Sequence, residues 1–176
     1  LDARGHRGAE LATAMKRIAD DPQRQFPDGD SGRASIIATY QVIIDDANQR
    51  VGALFHVRPK SGVKVERVPA FKEATAPGAY YQPPSIGGAR PGTFYVNLRD
   101  PRETKRPEMR TLAYHEAVPG HHFQIAIQQE LKGVPFFRHI LPFTAYAEGW
   151  GLYAERLAYE NGFHQDAYDS LGSLGA

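Results

Sequence analysis

Cysteine is absent from all 176 residues. That removes disulfides, thiolate metal sites and cysteine nucleophiles together, while leaving the compartment open. No apolar run approaches the roughly 20 residues needed to span a bilayer. Charge of one sign is not in excess either: 21 Lys and Arg against 20 Asp and Glu give a net charge of +1. The chain therefore has no electrostatic footprint for nucleic acid or an anionic membrane. Basic residues near 99–110 are interleaved with acids and read as a solvated loop. Internal repeats and low-complexity segments are missing. No signal peptide is visible, and the chain starts at Leu1 without methionine. That fits a mature or excised product with room for an upstream targeting segment, so cytoplasmic and periplasmic or secreted locations both stay open. What remains is the composition of a soluble globular chain, 41% hydrophobic and 23% charged, long enough for one domain with a sizeable core.

Against this background one stretch stands out, Thr111-Leu-Ala-Tyr-His115-Glu116-Ala-Val-Pro119-Gly120-His121-His122-Phe-Gln124. It gathers three of the seven histidines and a glutamate into eight positions. Imidazole nitrogens suit zinc, and a carboxylate beside the first of them can serve as general base. Histidines at i and i+4 share a metal across one helical turn, but position 119 here is proline. His121 lies about 240° around and about 9 Å along from His115 in a regular helix, and His122 returns to the same face about 10.5 Å away. A bulge at Pro119-Gly120 would restore the convergence, because proline cannot bond the carbonyl four residues back and glycine tolerates unusual dihedrals. On that geometry His121 is the second ligand and His122 points to solvent or to an outer acceptor. If Pro119 only ends the helix, the histidines diverge. A third ligand is offered by Glu148 in Tyr146-Ala-Glu-Gly-Trp-Gly-Leu-Tyr153-Ala-Glu155, where Gly149 and Gly151 allow close approach. Glu155 competes from the same face, but with Arg156 beside it a surface salt bridge is the expectation. His6, His56, His139 and His164 have no partner pattern.

The surrounding chain predicts a mostly helical α+β fold. An amphipathic helix is expected from Leu1 to about Asp21. A long one, capped by Ser31, would run to about Leu54 and bury Ile36, Ile37, Tyr40, Ile43, Ile44, Ala47 and Val51. Val63–Val68 and Thr93–Leu98 alternate as strands, with a long loop over 74–91 between them. The motif helix is expected from near Glu108 to Leu131, and a third-ligand helix from Thr144 or Ala145 to the Asn161-Gly162 stop.

The segments His115-Glu116-Ala-Val-Pro119-Gly120-His121-His122-Phe-Gln124, Ala147-Glu148-Gly149-Trp150 and Leu152-Tyr153-Ala154-Glu155 together resemble the bacterial family known as domain of unknown function 885. Tyr80-Tyr-Gln-Pro-Pro-Ser and Pro91-Gly-Thr-Phe-Tyr-Val-Asn97 add to the likeness, which covers most of 75–170. The resemblance implies the fold of the carboxypeptidase Taq group of metallopeptidases. More distantly, Ala147–Tyr153 is similar to the third-ligand segment of aminopeptidase N-like gluzincins. By that likeness Glu148 is a metal ligand and Glu116 the general base. Members are longer than this chain, so residues 1–176 are expected to be a catalytic-core fragment lacking part of the cleft. The resulting expectation is a zincin-like core: a motif helix, a third-ligand helix and a small antiparallel sheet. Zn2+ would be held by His115, His121 and Glu148, and Glu116 would activate water against a peptide lying along Thr93–Leu98. The alternative is a non-catalytic scaffold or binding domain on the same fold. Substrate, endo- or exo-cleavage, native metal and oligomeric state stay open.

Overall fold

The computed structural model describes residues 21–141 and 143–173, together with Thr13 and Lys16–Ile18. The helix expected over Leu1–Asp21 lies mostly outside the described residues. The order that follows is α1 (Gly29–Arg50), β1 (Val63–Arg67), β2 (Ala79–Gln82), β3 (Gly92–Val96), α2 (Arg106–Glu116), α3 (His121–Glu130), α4 (Phe137–Ile140), α5 (Thr144–Glu160) and α6 (Ala167–Gly172). The result is mostly helical α+β with one three-stranded sheet.

The 3.6-residue stripe of α1 is buried as its spacing requires: Ile36, Tyr40, Ile43, Ile44 and Ala47 are at most 4% exposed. Ile37 packs only partly against the core. The helix starts earlier than Ser31, with Asp28 at the cap and Gly29 at φ 77° supplying the sharp entry. Tyr40 meets Phe94 of β3 edge-on, ring centroids 5.0 Å apart, and joins the helix to the sheet.

Two expectations about the sheet are corrected. It is mixed, not antiparallel: β1 runs parallel to β3 from Val63↔Gly92 to Arg67↔Val96, while β2 pairs antiparallel with β3 from Ala79↔Val96 to Gln82↔Thr93. The order β1-β3-β2 also puts β3 in the middle. Both its edges are paired, so Thr93–Leu98 offers no free edge to a peptide. The physical reason is β2 itself, which Ala79-Tyr-Tyr-Gln forms inside the stretch expected to be loop. The chain crosses from β1 to the far side of the sheet, lays down β2 there, and returns between the two. Phe94, Val96 and Leu98 are accordingly almost fully buried.

The motif helix α2 is fixed at its far side by a buried polar knot. The Tyr114 hydroxyl donates to the Phe163 carbonyl at 2.9 Å, and Arg110 donates to the Tyr114 oxygen at 3.1 Å and faces Asp169 at 3.1 Å. Because both partners follow the C-terminus of α5, this knot sets α2 against the helix that carries Glu148. Among the described residues no helix is long and apolar enough to cross a membrane.

Candidate metal centre

The helix α2 stops at Glu116, and the chain turns through Ala117–Gly120 before α3 starts at His121. The expected bulge within one continuous helix is thus an interruption between two. The Val118 N–H still reaches the Ala113 carbonyl at 3.3 Å, and the Phe123 N–H reaches Ala117 at 3.3 Å across the turn. The Val118–Pro119 bond is cis. Gly120 is required here, since a Cβ on it would lie 1.8 Å from the His115 carbonyl oxygen. The turn brings the His115 and His121 rings together, centroids 4.6 Å apart at 84°. Trp150 of α5 donates its indole N–H to the Pro119 carbonyl at 2.7 Å and holds the turn in place.

Across from the histidines stands Glu148. Its Oε2 is 3.2 Å from His115 Nε2 and its Oε1 is 3.6 Å from His121 Nε2. One donor atom from each of the three residues lies within 4.8 Å of the others. Donors each about 2.0–2.2 Å from a tetrahedral zinc sit about 3.3 Å apart, and the two distances from Glu148 to the histidines lie close to that spacing. Gly151 makes the approach possible, because a Cβ there would lie 2.6 Å from the His115 ring. Gly149 has open space beside it and carries no such constraint.

Sequence reasoning misplaced Glu155. It accepts from His115 Nδ1–H at 2.6 Å, and both side chains are largely buried. Arg156 instead pairs with Glu160 one turn on, at 2.6 Å. The Glu155 hydrogen bond is the first cause holding the His115 imidazole above its ordinary pKa. It also fixes the proton on Nδ1, leaving Nε2 to face Glu148 and His121. The signal was available: Glu155 shares the Glu148 face two turns on, and a ligating histidine needs an acceptor for its second nitrogen. If the trio holds zinc, Glu155→Gln is expected to weaken its binding by about 10–100-fold with the fold intact. Competition titration against a zinc chelator reads this directly, and unchanged affinity would return Glu155 to a structural role.

Glu116 is partly buried beside the trio, where burial pushes its carboxyl above the usual carboxylate range. Charges of opposite effect act on it as well, His115 lowering and Glu148 raising, and the nearby Tyr81 backbone lowers it further. Of the two expectations for His122, solvent is overturned, since it is 3% exposed, and an acceptor away from the trio is found. Its Nε2–H donates to the Ser61 carbonyl at 3.0 Å, and its Nδ1 accepts from the Tyr81 hydroxyl at 2.9 Å. Burial lowers its pKa to about 4, so it stays neutral and clamps β2 to α3. Gly92 on β3 leaves room for that clamp, since a Cβ would lie 2.6 Å from His122 Nδ1.

The geometry can be set beside known proteins. One solved structure, "The crystal structure of the putative lipoprotein from Colwellia psychrerythraea", superposes with a TM-score of 0.93 at 34% identity. The match covers 99% of this chain but 30% of that one, so the present chain spans under a third of the relative's length. No curated protein matches the chain. Residues 2–176 match the family described as "Bacterial protein of unknown function (DUF885)", and with that match over nearly its whole length the chain belongs to this bacterial family of unknown function.

Proposed function

We propose that the chain is the core of a zinc-dependent metallopeptidase, with His115, His121 and Glu148 as ligands and Glu116 as general base. The observation that carries this reading is the convergence of three ligand atoms within 4.8 Å beside a partly buried glutamate. A structural zinc site has no use for such a base. The resemblance of the two histidine and glutamate segments to carboxypeptidase Taq-like and gluzincin enzymes, and a zincin-like core with it, belong to the same proposal. Bound zinc supplies Lewis-acid polarisation of a carbonyl and acidifies water. The protein groups do the rest. Glu155 holds His115 in one tautomer, and the Trp150 bond to Pro119 keeps His121 turned toward Glu148. Glu116 takes the proton of the attacking water and later delivers it to the leaving amine.

The peptide substrate is assigned to β2 in place of Thr93–Leu98. Among the described residues β2 is an edge of the sheet, and its backbone at Tyr81 comes close enough to Glu116 to act on that carboxyl. An extended peptide laid on that edge would bring its scissile carbonyl close to the base, main chain to main chain. Purified chain is expected to bind about one zinc per molecule, and His115→Ala to bind essentially none. Metal content by elemental analysis checks this, and equal content in both proteins would sink the site.

A further inference from the structure

After α3 the chain runs through α4 into α5 with almost nothing on top of it. Leu131, Phe136, Phe137, Ile140, Leu141 and Phe143 are each 47–65% exposed, and α4 has no buried residue at all. Its polar tie to the body is the hydrogen bond from the Gln128 amide to the Arg138 carbonyl. Scattered exposed leucines need no explanation, but six large apolar side chains within thirteen consecutive positions form a patch of the kind that marks a covered surface. Between Glu130 and Glu148 the charged residues are Lys132 and Arg138, both basic and both exposed. The face is therefore apolar with a cationic fringe. It runs on to Tyr146, two positions before the proposed ligand Glu148.

We infer that this face, from Leu131 to Tyr146, is the seat of a further part of the same polypeptide, an apolar segment with acidic groups at its rim. The inference does not depend on the metallopeptidase reading. The length of related chains carries it: the solved relative aligns over 99% of these residues and uses 30% of its own length, so most of that polypeptide lies outside the aligned part. A covering segment in cis acts at an effective concentration near millimolar, which a second copy reaches only in concentrated solution. A lipid surface suits the aromatic and basic side chains, but would have to desolvate the Glu148 carboxylate, 54% exposed on the same stretch.

Hydrogen exchange over 131–143 tests this when measured on the 176-residue chain and on the longest polypeptide its gene encodes. Exchange is expected to be at least about 10-fold slower in the longer protein. A double substitution, Phe136→Ser with Ile140→Ser, should leave the Tm of the 176-residue chain within about 2 °C and lower that of the longer protein by about 5 °C or more. Equal exchange in the two proteins, or a gene encoding no further residues, overturns the inference. So does a dimer by light scattering that the double substitution disperses, which assigns the face to a second copy. Co-sedimentation with phosphatidylglycerol vesicles that the same substitution abolishes assigns it to lipid and overturns it equally.

Discussion

Glu116→Gln is expected to leave zinc affinity within about twofold and to cut peptide hydrolysis by about 100-fold or more, the scale of losing a general base. The substitution keeps shape and hydrogen-bonding capacity and removes the ability to take a proton. Glu116 is not among the three residues whose ligand atoms converge, so the metal set is untouched. β2 keeps its position through its ladder with β3 and the Tyr81 hydroxyl on His122. A purely structural glutamate at this point would give the opposite pattern: near-normal turnover with a small loss of stability. The assay belongs on the longest polypeptide that the gene encodes, because the present chain spans 30% of one solved relative and a peptide cleft needs walls on both sides of the base. Single-turnover rates at saturating substrate separate the two cases. Unchanged rates with zinc bound would reassign Glu116 to a hydrogen-bonding role.

Much of this site was legible from local chemistry, and what escaped was tertiary. The stripe on α1, the strands around Val65 and Phe94 and the α5 stop at Gly162 follow from periodicity and turn residues. Pro119-Gly120 pointed to a break in helical geometry that His121 would need. Its form as two helices depends on the close pass of Gly120 over the His115 carbonyl, which no spacing rule contains. Likewise Ala79–Gln82 has too few residues, in too much Pro and Gly, to show a period. It becomes a strand because β3 offers a free edge and because His122 anchors Tyr81. Glu155 was assigned to its neighbour in sequence, Arg156, whereas its partner stands forty positions away on another helix. In each case the missing information was which element lies opposite.

Of the two adjacent histidines, His121→Ala is expected to lower zinc affinity by well over the 10–100-fold that losing an outer partner costs, while stability without metal changes little. His122→Ala should do the reverse. The His121 ring lies 4.6 Å from that of His115, with its Nε2 toward Glu148. Burial and the neighbouring His115 lower its pKa and keep a neutral nitrogen to offer. Removing the ring takes away a ligand and opens a space beside half-exposed groups that water can fill. His122 sits in the interior with both nitrogens engaged, one by the Ser61 carbonyl and one by the Tyr81 hydroxyl. Truncating it strands both partners and leaves a cavity, together about 2–4 kcal/mol, and frees β2 from α3. Zinc should still bind, because neither nitrogen of His122 faces the trio. Denaturant midpoints measured without metal, beside chelator-competition titrations for both variants, separate the roles. A larger loss of zinc affinity in His122→Ala than in His121→Ala would move the second ligand to His122 and require the turn at Gly120 to rearrange when metal binds.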